Sequence, residues 1–261
     1  MTDDLLILAC QLAEDAGKEL LSRFGDIHTV DTKSSATDPV SEADKAAEAL
    51  LVERIAAARP HDGILGEEGA DRDGTSGLRW VLDPLDGTVN YLYGRDEWVV
   101  SIAVEDGQGI TVGAVRHVRG GLTYGAERDH GAWAMGSAAE DVGRRRRLSV
   151  NDPVPMQQAL VGTGFSYDAQ RRARQGEQAS VLLPRVRDLR RGGSCALDLC
   201  HVASGQLDGF YETGVNYWDW AAGALIAAEA GAEVTRYEAL GAGGLVVSGR
   251  ALHDALVQAV T

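Results

Sequence analysis

A chain of 261 residues is long enough to bury a substantial core, as one large domain or as two closely packed ones. Its 44% hydrophobic and 25% charged residues are ordinary values for a globular protein. The formal net charge of −14 argues against a general nucleic-acid-binding protein, because such a protein needs a basic face.

The cysteines and the apolar runs indicate the cellular compartment. Cys10, Cys195 and Cys200 show no paired spacing, so a disulfide framework is not expected and a reducing compartment fits better. The N-terminal residues lack the positive charge that begins a signal peptide. No apolar run approaches the about 20 residues needed to span a bilayer. We therefore expect a cytoplasmic protein with neither a membrane nor a nucleic-acid partner.

The first 60 residues predict two helices joined by a polar loop. Apolar residues recur at helical spacing over residues 5–21, and Gly25 closes this helix. Residues 41–44 form a capping-box-like start for the second helix, which Pro60 ends.

Several polar residues in this region have two interpretations each. Lys33 lies in the polar loop and is either solvated or reaches toward an acidic cluster. Asp44 either complements the dipole of the second helix or belongs to that cluster. A short strand at residues 63–65 is followed by Glu67 and Glu68, which form either a plain acidic turn or one arm of a metal site.

The pattern around Asp83 and Asp86 is the strongest chemical signal. Residues 80–82 are apolar and predict a buried strand that ends at Pro84, because proline cannot donate a ladder hydrogen bond. Asp83 and Asp86 lie close to each other at the end of this strand, and their carboxylates repel each other unless a cation lies between them. Mg²⁺ prefers oxygen ligands of this kind. The sequence therefore predicts a magnesium site here.

Two glycine-containing turns lead onto predicted helix starts, where free backbone N–H groups can bind an anion. Gly87 and Thr88 directly follow the two aspartates, which suggests a phosphate beside the metal. Gly193 and Ser194 precede a predicted helix at residues 196–203, and by itself this second turn is a weak signal.

The middle of the chain predicts a run of strands at residues 98–104, 110–118, 121–126 and 131–135, separated by turns. The four arginines at residues 144–147 favour a solvated turn over an anion-binding patch. Such a run of strands speaks against a purely alternating, doubly wound fold, and strands mixed with helices throughout indicate layered α/β organisation.

The second half predicts further alternating elements. Glu212 ends a short strand, and Asp219 lies in the first turn of a helix, where a dipole-complementing carboxylate is the competing explanation. The predicted elements are a strand at 160–163, a helix at 169–182, strands at 186–189 and 208–212, a helix from 216 to 230, a strand at 245–248 and a last helix from 251.

Together these motifs resemble the inositol monophosphatase family of Mg²⁺-dependent, lithium-sensitive phosphatases. Residues 80–90 match the pattern W-x-x-D-P-x-D-G-T-x-N, and residues 218–231 match a second pattern, W-D followed by a helix of small residues and a glycine turn. Residues 66–68 match G-E-E, and residues 41–44 match S-x-A-D. Four motifs in register over nearly the whole chain make the resemblance specific.

The resemblance implies a fold and an assembly. It implies an α/β protein built as a layered α-β-α-β-α sandwich of the inositol monophosphatase and fructose-bisphosphatase type. Residues 1–145 would form an N-terminal lobe with most metal ligands, and residues 146–261 a C-terminal lobe that completes the active site. Family resemblance also implies a homodimer.

The resemblance further implies metal ligands for two or three Mg²⁺ ions, the third being a weaker one near Glu67. Glu67, Asp83 and the backbone carbonyl of Leu85 would hold the first ion. Asp83, Asp86 and Asp219 would hold the second.

The other implied roles concern water and substrate. Thr88 and Glu67 would orient and deprotonate the attacking water, and Asp44 would accept a hydrogen bond from the Thr88 hydroxyl. Asp86 and Asp219 would also contact the substrate. The remaining substrate contacts would be Gly87 and Thr88 with the phosphate, Glu212 with the polyol, Gly193, Ser194 and Cys195 along the same pocket, and Lys33 nearby.

The implied reaction is hydrolysis of inositol monophosphate, myo-inositol 1-phosphate or a similar ester, by metal-activated water. Val89, Asn90 and Tyr91 after the D-G-T motif favour the inositol branch, whereas Cys195 stands where alanine is common and loosens that assignment. Histidinol phosphate, another cyclitol or sugar phosphate, fructose 1,6-bisphosphate and adenosine 3′,5′-bisphosphate are alternative substrates. An inactive family member that serves as a binding or regulatory protein is the non-enzymatic alternative.

Overall fold

A computed structural model describes residues 2–25, 30–32, 39–136 and 144–261 of the chain. The predicted helices occur at or close to the expected bounds. In the described part of the chain they are α1 (Thr2–Arg23), α2 (Glu42–Ala58), α3 (Thr88–Leu92), α4 (Ala169–Leu182), α5 (Cys195–Ala203), α6 (Tyr217–Glu229) and α7 (Arg250–Val260). No described helix combines the length and the apolar character that crossing a bilayer demands.

The strands form two mixed sheets and a small two-stranded one. They are β1 (Val30–Thr32), β2 (Pro39–Ser41), β3 (Gly63–Gly66), β4 (Asp71–Arg72), β5 (Arg79–Asp86), β6 (Val99–Asp106), β7 (Gly109–His117), β8 (Leu122–Glu127), β9 (Gly131–Gly136), β10 (Arg146–Arg147), β11 (Leu160–Thr163), β12 (Asp188–Arg190), β13 (Gly209–Thr213), β14 (Glu233–Ala239) and β15 (Ala242–Ser248).

The sheets differ in how their strands are connected. The large sheet has the order β10-β9-β8-β7-β6-β5-β3-β4 and is antiparallel except where β3 runs parallel to β5. The smaller sheet has the order β12-β11-β13-β15-β14, with β11 parallel to both of its neighbours. In the large sheet, β3 and β5 both end at the edge where the candidate metal ligands follow.

Three layers of helices enclose the two sheets. Helices α1 and α2 pack on one face of the large sheet, and their apolar residues share a core with Trp80, Leu82 and Trp98. Helices α5 and α6 lie between the sheets in a second core. Helices α4 and α7 cover the outer face of the smaller sheet, around Leu182 and Leu256. The layered α-β-α-β-α sandwich is thus confirmed.

One strand boundary was wrong. The prediction ended the strand before Pro84, but β5 continues to Asp86. Asp83 pairs with Ser101 and Asp86 with Val99, so three steps along β5 match two along β6. Such a bulge leaves residues outside the ladder, and proline is tolerated there because no donor is required.

Two other predictions need correction. Strand β14 was missed, because its alternating, half-exposed residues include several charges that favour a loop. The arginine run was predicted as a turn, but Arg146 and Arg147 pair with β9 as a short, exposed edge strand. This pairing also attaches residues just past the predicted lobe boundary to the large sheet. The division into lobes at residue 145 stays a prediction.

The close packing of α6 on β7 depends on Gly113. A methyl group added there would lie 2.8 Å from the carbonyl oxygen of Ala222 in α6. Both atoms belong to backbone or near-backbone positions and cannot rotate away. We therefore expect Gly113→Ala to lower the free energy of unfolding by about 1–3 kcal/mol.

Chemical denaturation measures this change, and Gly107→Ala is the matched control. Gly107 lies in the turn between β6 and β7, with nothing within 4 Å of an added methyl group. The control should stay within about 0.5 kcal/mol of the parent protein. Equal effects of the two substitutions would contradict the packing described for α6.

Candidate metal centre and active site

Three carboxylates from separate elements converge at the edge of the large sheet. Asp83 lies near the end of β5, and Glu67 follows β3, its parallel neighbour. The Glu67 N–H donates to the Leu82 carbonyl at 3.2 Å, which holds the two strand ends side by side. Asp219 arrives from the first turn of α6. One oxygen from each of Glu67, Asp83 and Asp219 lies within 4.8 Å of the others.

A capping box fixes Asp219 at the start of α6. The Asn216 backbone N–H donates to Oδ2 of Asp219 at 2.6 Å, and the Asn216 side chain accepts from the backbone of Asp219 in return. This reciprocal pair satisfies donors that a helix N-terminus otherwise leaves open. The helix therefore delivers one carboxylate to the cluster in a fixed position.

Asp86 connects the end of β5 to the start of α5. Its Oδ2 accepts from the Ser194 hydroxyl at 2.6 Å and from the Ala196 N–H at 2.7 Å. Ser194 in turn caps α5 by accepting from the Leu197 N–H. Among the described residues, Asp86 is not part of the group of oxygens within 4.8 Å. Its role as a ligand of the second ion stays a prediction.

The electrostatics of the cluster suit the binding of a cation. Burial raises the pKa of Asp83 well above its usual range, and the nearby carboxylates of Glu67, Asp86 and Asp219 raise it further. The pKa of Asp219 is likewise raised by burial and by the charge of Glu67. No Lys or Arg in the described part of the chain forms an ion pair with Asp83 or Asp219. Buried, mutually repelling carboxylate oxygens are the donor set that a hard divalent cation such as Mg²⁺ prefers.

The turn after β5 has the predicted form. Gly87 caps α3 with a φ of 99°, a left-handed conformation that glycine adopts readily. A methyl group there would lie 2.8 Å from the Glu97 carbonyl, so the turn is also closely packed. The Thr88 hydroxyl donates to the Leu85 carbonyl at 3.1 Å. Its predicted hydrogen bond to Asp44 stays a prediction.

Most of the predicted site residues line one cavity of about 330 Å³. That volume falls within the range of about 300–1,000 Å³ of small-molecule sites. Asp44 is fully buried and does not line the cavity. Lys33 lies outside the described residues. The predicted residues that line it are Glu67, Asp83, Leu85, Asp86, Gly87, Thr88, Gly193, Ser194, Cys195, Glu212 and Asp219.

The C-terminal part of the cavity wall contains two further acidic groups. Burial raises the pKa of Glu212 to about 8, with smaller contributions from the charges of Asp86 and Asp198, while Arg191 opposes the rise. Burial also raises the pKa of Asp198. The pKa of the Cys195 thiol is raised well above its usual range by burial, so the thiol stays protonated and acts only as part of the wall.

The sequence analysis missed Glu48, a buried carboxylate on α2. Its Oε2 accepts from the Glu68 N–H at 2.8 Å, and its Oε1 accepts from the Ala70 N–H at 2.9 Å. Glu48 therefore holds the turn that carries Glu67. The sequence offered one signal for Glu48: it follows Asp44 by four residues, which places it on the apolar face of the predicted helix. A carboxylate on such a face needs hydrogen-bond partners.

Asn90 was matched within a motif but given no role. Its Nδ2 donates to the Glu97 carbonyl at 2.6 Å and to the Gly192 carbonyl at 2.9 Å. The first bond joins α3 to the segment before β6, and the second joins it to the turn before α5. Arg171 and Arg191 also line the cavity and were not singled out from the sequence.

Comparison with known proteins shows the family. Residues 1–261 match the sequence profile of the inositol monophosphatase family. The chain belongs to this family. Membership of this family supports a phosphatase activity.

Individual members share most of their length with the chain. A Mycobacterium leprae protein named inositol-1-monophosphatase is 45% identical over 269 aligned positions, covering 99% of this chain and 90% of the relative. A Xylella fastidiosa protein named Nus factor SuhB is 37% identical, covering 87% of this chain and 79% of the relative. The solved structure of Mycobacterium tuberculosis SuhB matches with a TM-score of 0.85 and 39% identity, covering 98% of this chain and 95% of that one.

We expect Glu48→Gln to weaken metal binding by loosening the turn that carries Glu67. Glutamine keeps one acceptor oxygen but presents an amide to the second N–H, so one buried hydrogen bond is lost. The Mg²⁺ concentration for half-maximal thermal stabilisation should rise by about 10-fold or more. Thermal melting across a Mg²⁺ titration measures it.

Glu53→Gln, on the exposed side of the same helix, is the control for this experiment and should behave like the parent protein. A Glu48→Gln variant whose Mg²⁺ titration matches the control would mean that Glu48 does not position Glu67.

The raised pKa values of Asp86 and Glu212 predict a pH-dependent stability in the absence of metal. Burial raises the pKa of Asp86 to about 7 and that of Glu212 to about 8, whereas unfolded carboxylates titrate near about 4. Above about pH 8 the cost of burying both charges is fully present. As the pH falls through these values, the folded protein takes up protons that the unfolded chain does not bind, so the free energy of unfolding rises.

Denaturant unfolding in a chelator should therefore give a larger free energy of unfolding at pH 6 than at pH 8. The double variant Asp86→Asn, Glu212→Gln should show a smaller difference. A parent protein that becomes less stable on acidification over this interval would contradict the assignment.

Proposed function

We propose that the chain is a Mg²⁺-dependent phosphomonoesterase that hydrolyses inositol monophosphate, myo-inositol 1-phosphate or a similar ester. The observation that carries this proposal is the convergence of Glu67, Asp83 and Asp219 within 4.8 Å beside a cavity of small-molecule size. Family membership supports the reaction type. The relative from Mycobacterium leprae, by its name, supports the substrate.

In this proposal each acidic residue has a defined task. Glu67, Asp83 and the Leu85 carbonyl would hold one Mg²⁺, and Asp83, Asp86 and Asp219 a second. Bound Mg²⁺ would lower the pKa of water and offset the charge of the phosphoryl group, which otherwise repels a nucleophile. Glu67 would accept the proton of the attacking water at a carboxylate oxygen.

The remaining residues would position the reactants. Thr88 would orient the water through its hydroxyl group, with buried Asp44 behind it as the acceptor. The backbone N–H groups of Gly87 and Thr88 would donate to phosphate oxygens. Lys33 would contribute a positive charge near the phosphate.

The polyol would lie against the C-terminal wall of the cavity. Glu212 would accept hydrogen bonds from its hydroxyl groups, and Gly193, Ser194 and Cys195 would line the same pocket. The same chemistry on histidinol phosphate, another cyclitol or sugar phosphate, fructose 1,6-bisphosphate or adenosine 3′,5′-bisphosphate is the alternative within this reaction class.

A second candidate function is that of a binding or regulatory partner. The Xylella fastidiosa relative named Nus factor SuhB favours it. A direct nucleic-acid contact through a general basic face is disfavoured by the net charge of −14. A preparation that binds Mg²⁺ but releases no phosphate from any ester would favour this candidate over the enzyme.

The proposal includes inhibition by lithium, a homodimer and a cytoplasmic location, each of which follows from the family resemblance or from composition. Phosphate release with and without lithium chloride tests the first, and the mass in solution from light scattering tests the second. A monomer at assay concentrations would remove the dimer from the proposal and leave the chemistry intact.

A panel of phosphate esters tests the function directly. We expect Mg²⁺-dependent phosphate release to be fastest with myo-inositol 1-phosphate among that ester, histidinol phosphate, fructose 1,6-bisphosphate and adenosine 3′,5′-bisphosphate. Asp83→Asn should lower kcat by several orders of magnitude with the fold intact, because it removes the charge that both ions would share.

Asp73→Asn is the control, since this carboxylate lies in an exposed loop away from the cavity. It should leave kcat unchanged. An Asp83→Asn variant with near-normal turnover would overturn the metal assignment, and release of phosphate in a chelator at the full rate would overturn the dependence on Mg²⁺.

A further inference from the structure

Two arginines lie on the cavity wall that the metal ligands do not occupy. Arg171, in the first turn of α4, packs its guanidinium over Gly214: a methyl group on that glycine would lie 2.8 Å from Nη1. Arg191 packs over Gly193 in the same way, with 2.5 Å between Nη1 and the equivalent methyl position. The two cations therefore flank the strand end that carries Glu212 and the turn that carries Ser194.

Neither guanidinium has a partner among the described residues. No hydrogen bond or ion pair joins the side chain of Arg171 or Arg191 to another described group. The Nε of Arg171 is buried and makes no hydrogen bond. A guanidinium carries five N–H donors, so Arg171 has further donors to offer to an anion in the cavity that it lines.

The wall that carries Arg171 is fixed by buried hydrogen bonds. Gln175, one turn further along α4, donates to the Thr213 carbonyl at 2.9 Å and accepts from the Ser166 N–H at 2.8 Å. Arg172 donates to the carbonyls of Ser166 and Tyr167. These bonds tie α4 and the loop before it to β13, which holds Arg171 in place beside the cavity.

The alternative is that the two arginines serve as counter-ions of nearby carboxylates, and the contacts do not support it. Glu212 and Asp198 are the nearest candidates, because the charge of Arg191 opposes the rise of their pKa values. Neither carboxylate forms an ion pair with a described arginine, however, and the ion-pair partner of Asp198 is His201 at 3.7 Å. The charge of Arg191 therefore acts on both carboxylates, but it forms no ion pair with either of them.

From this placement we propose that Arg171 and Arg191 form a second anion subsite, which strengthens the binding of phosphate esters that carry a second anionic group. The inference rests on the proposed phosphatase function and extends its substrate class to esters with a second anionic group. The reacting phosphate would lie at the carboxylate cluster, and a second phosphate on the same polyol or sugar would accept hydrogen bonds from the two guanidiniums. Asp168 also lines this part of the cavity, but its Oδ1 already accepts from the Arg171 N–H.

Matched substrate pairs test the subsite. The pairs are myo-inositol 1-phosphate with myo-inositol 1,4-bisphosphate and fructose 1-phosphate with fructose 1,6-bisphosphate, assayed in Mg²⁺. In at least one pair, the KM of the parent protein should be lower for the bisphosphate than for the monophosphate. Arg171→Gln and Arg191→Gln should each raise the KM for that bisphosphate by about 10- to 100-fold and leave the KM for the monophosphate within about 3-fold.

The controls are arginines that neighbour the two tested ones. Arg174→Gln changes an exposed arginine on α4 outside the cavity. Arg190→Gln changes the residue next to Arg191, and Arg190 forms an ion pair with Asp188. Both should leave the two KM values unchanged. Arg171→Lys should recover part of the bisphosphate preference, since lysine keeps the charge but not the planar fork.

Each outcome decides the proposal. A selective loss on the bisphosphate supports the subsite. Equal losses on both esters, or no loss, overturn it and leave the phosphatase assignment standing. If the parent protein hydrolyses none of the esters, the proposed function fails, and calorimetric binding of the bisphosphate then decides: weaker binding by the two variants than by their controls supports the subsite, and unchanged binding overturns it.

Discussion

Repulsion among buried carboxylates is the constraint on which the rest of the structure depends. Glu67, Asp83 and Asp219 reach the same point from a strand end, its parallel neighbour and a helix of the middle layer. Without a cation this arrangement opposes folding, as the raised pKa values of Asp83 and Asp219 indicate. The surrounding chain must therefore hold these groups together against their own charge.

That restraint comes from bonds between elements that are distant in sequence. Glu48 accepts hydrogen bonds from the turn after β3, and Asn216 donates to Asp219. Asp86 accepts from Ser194 at the start of α5. Each of these side chains is hydrogen-bonded to backbone or to a capping residue, so the carboxylates are as fixed in position as the helices and strands around them. A functional constellation supported in this way is more sharply defined than one carried on free loops.

Local patterns predicted what lies near in sequence, and they missed what depends on tertiary packing. The helices, the run of strands from β6 to β9 and the placement of Asp83 followed from apolar spacing and turn residues. The bulge at Pro84 was missed because it depends on the register with β6, and β14 because an edge strand tolerates charges. The meeting of Asp219 with Asp83 came only from family resemblance, since no local rule brings them together. Glu48 and the arginine pair depend on contacts that spacing alone does not reveal.

The packing of the middle layer has a consequence for the position of Asp219. The middle of helix α6, residues 221–224, consists of alanine and glycine. The helix lies between the large sheet on one side and α5 on the other, where a methyl group on Gly223 would lie 2.8 Å from Leu199. A helix packed this closely on both sides cannot shift along its axis without disrupting both interfaces. Asp219, in the first turn of α6, is therefore anchored to the large sheet by the packing of the whole helix.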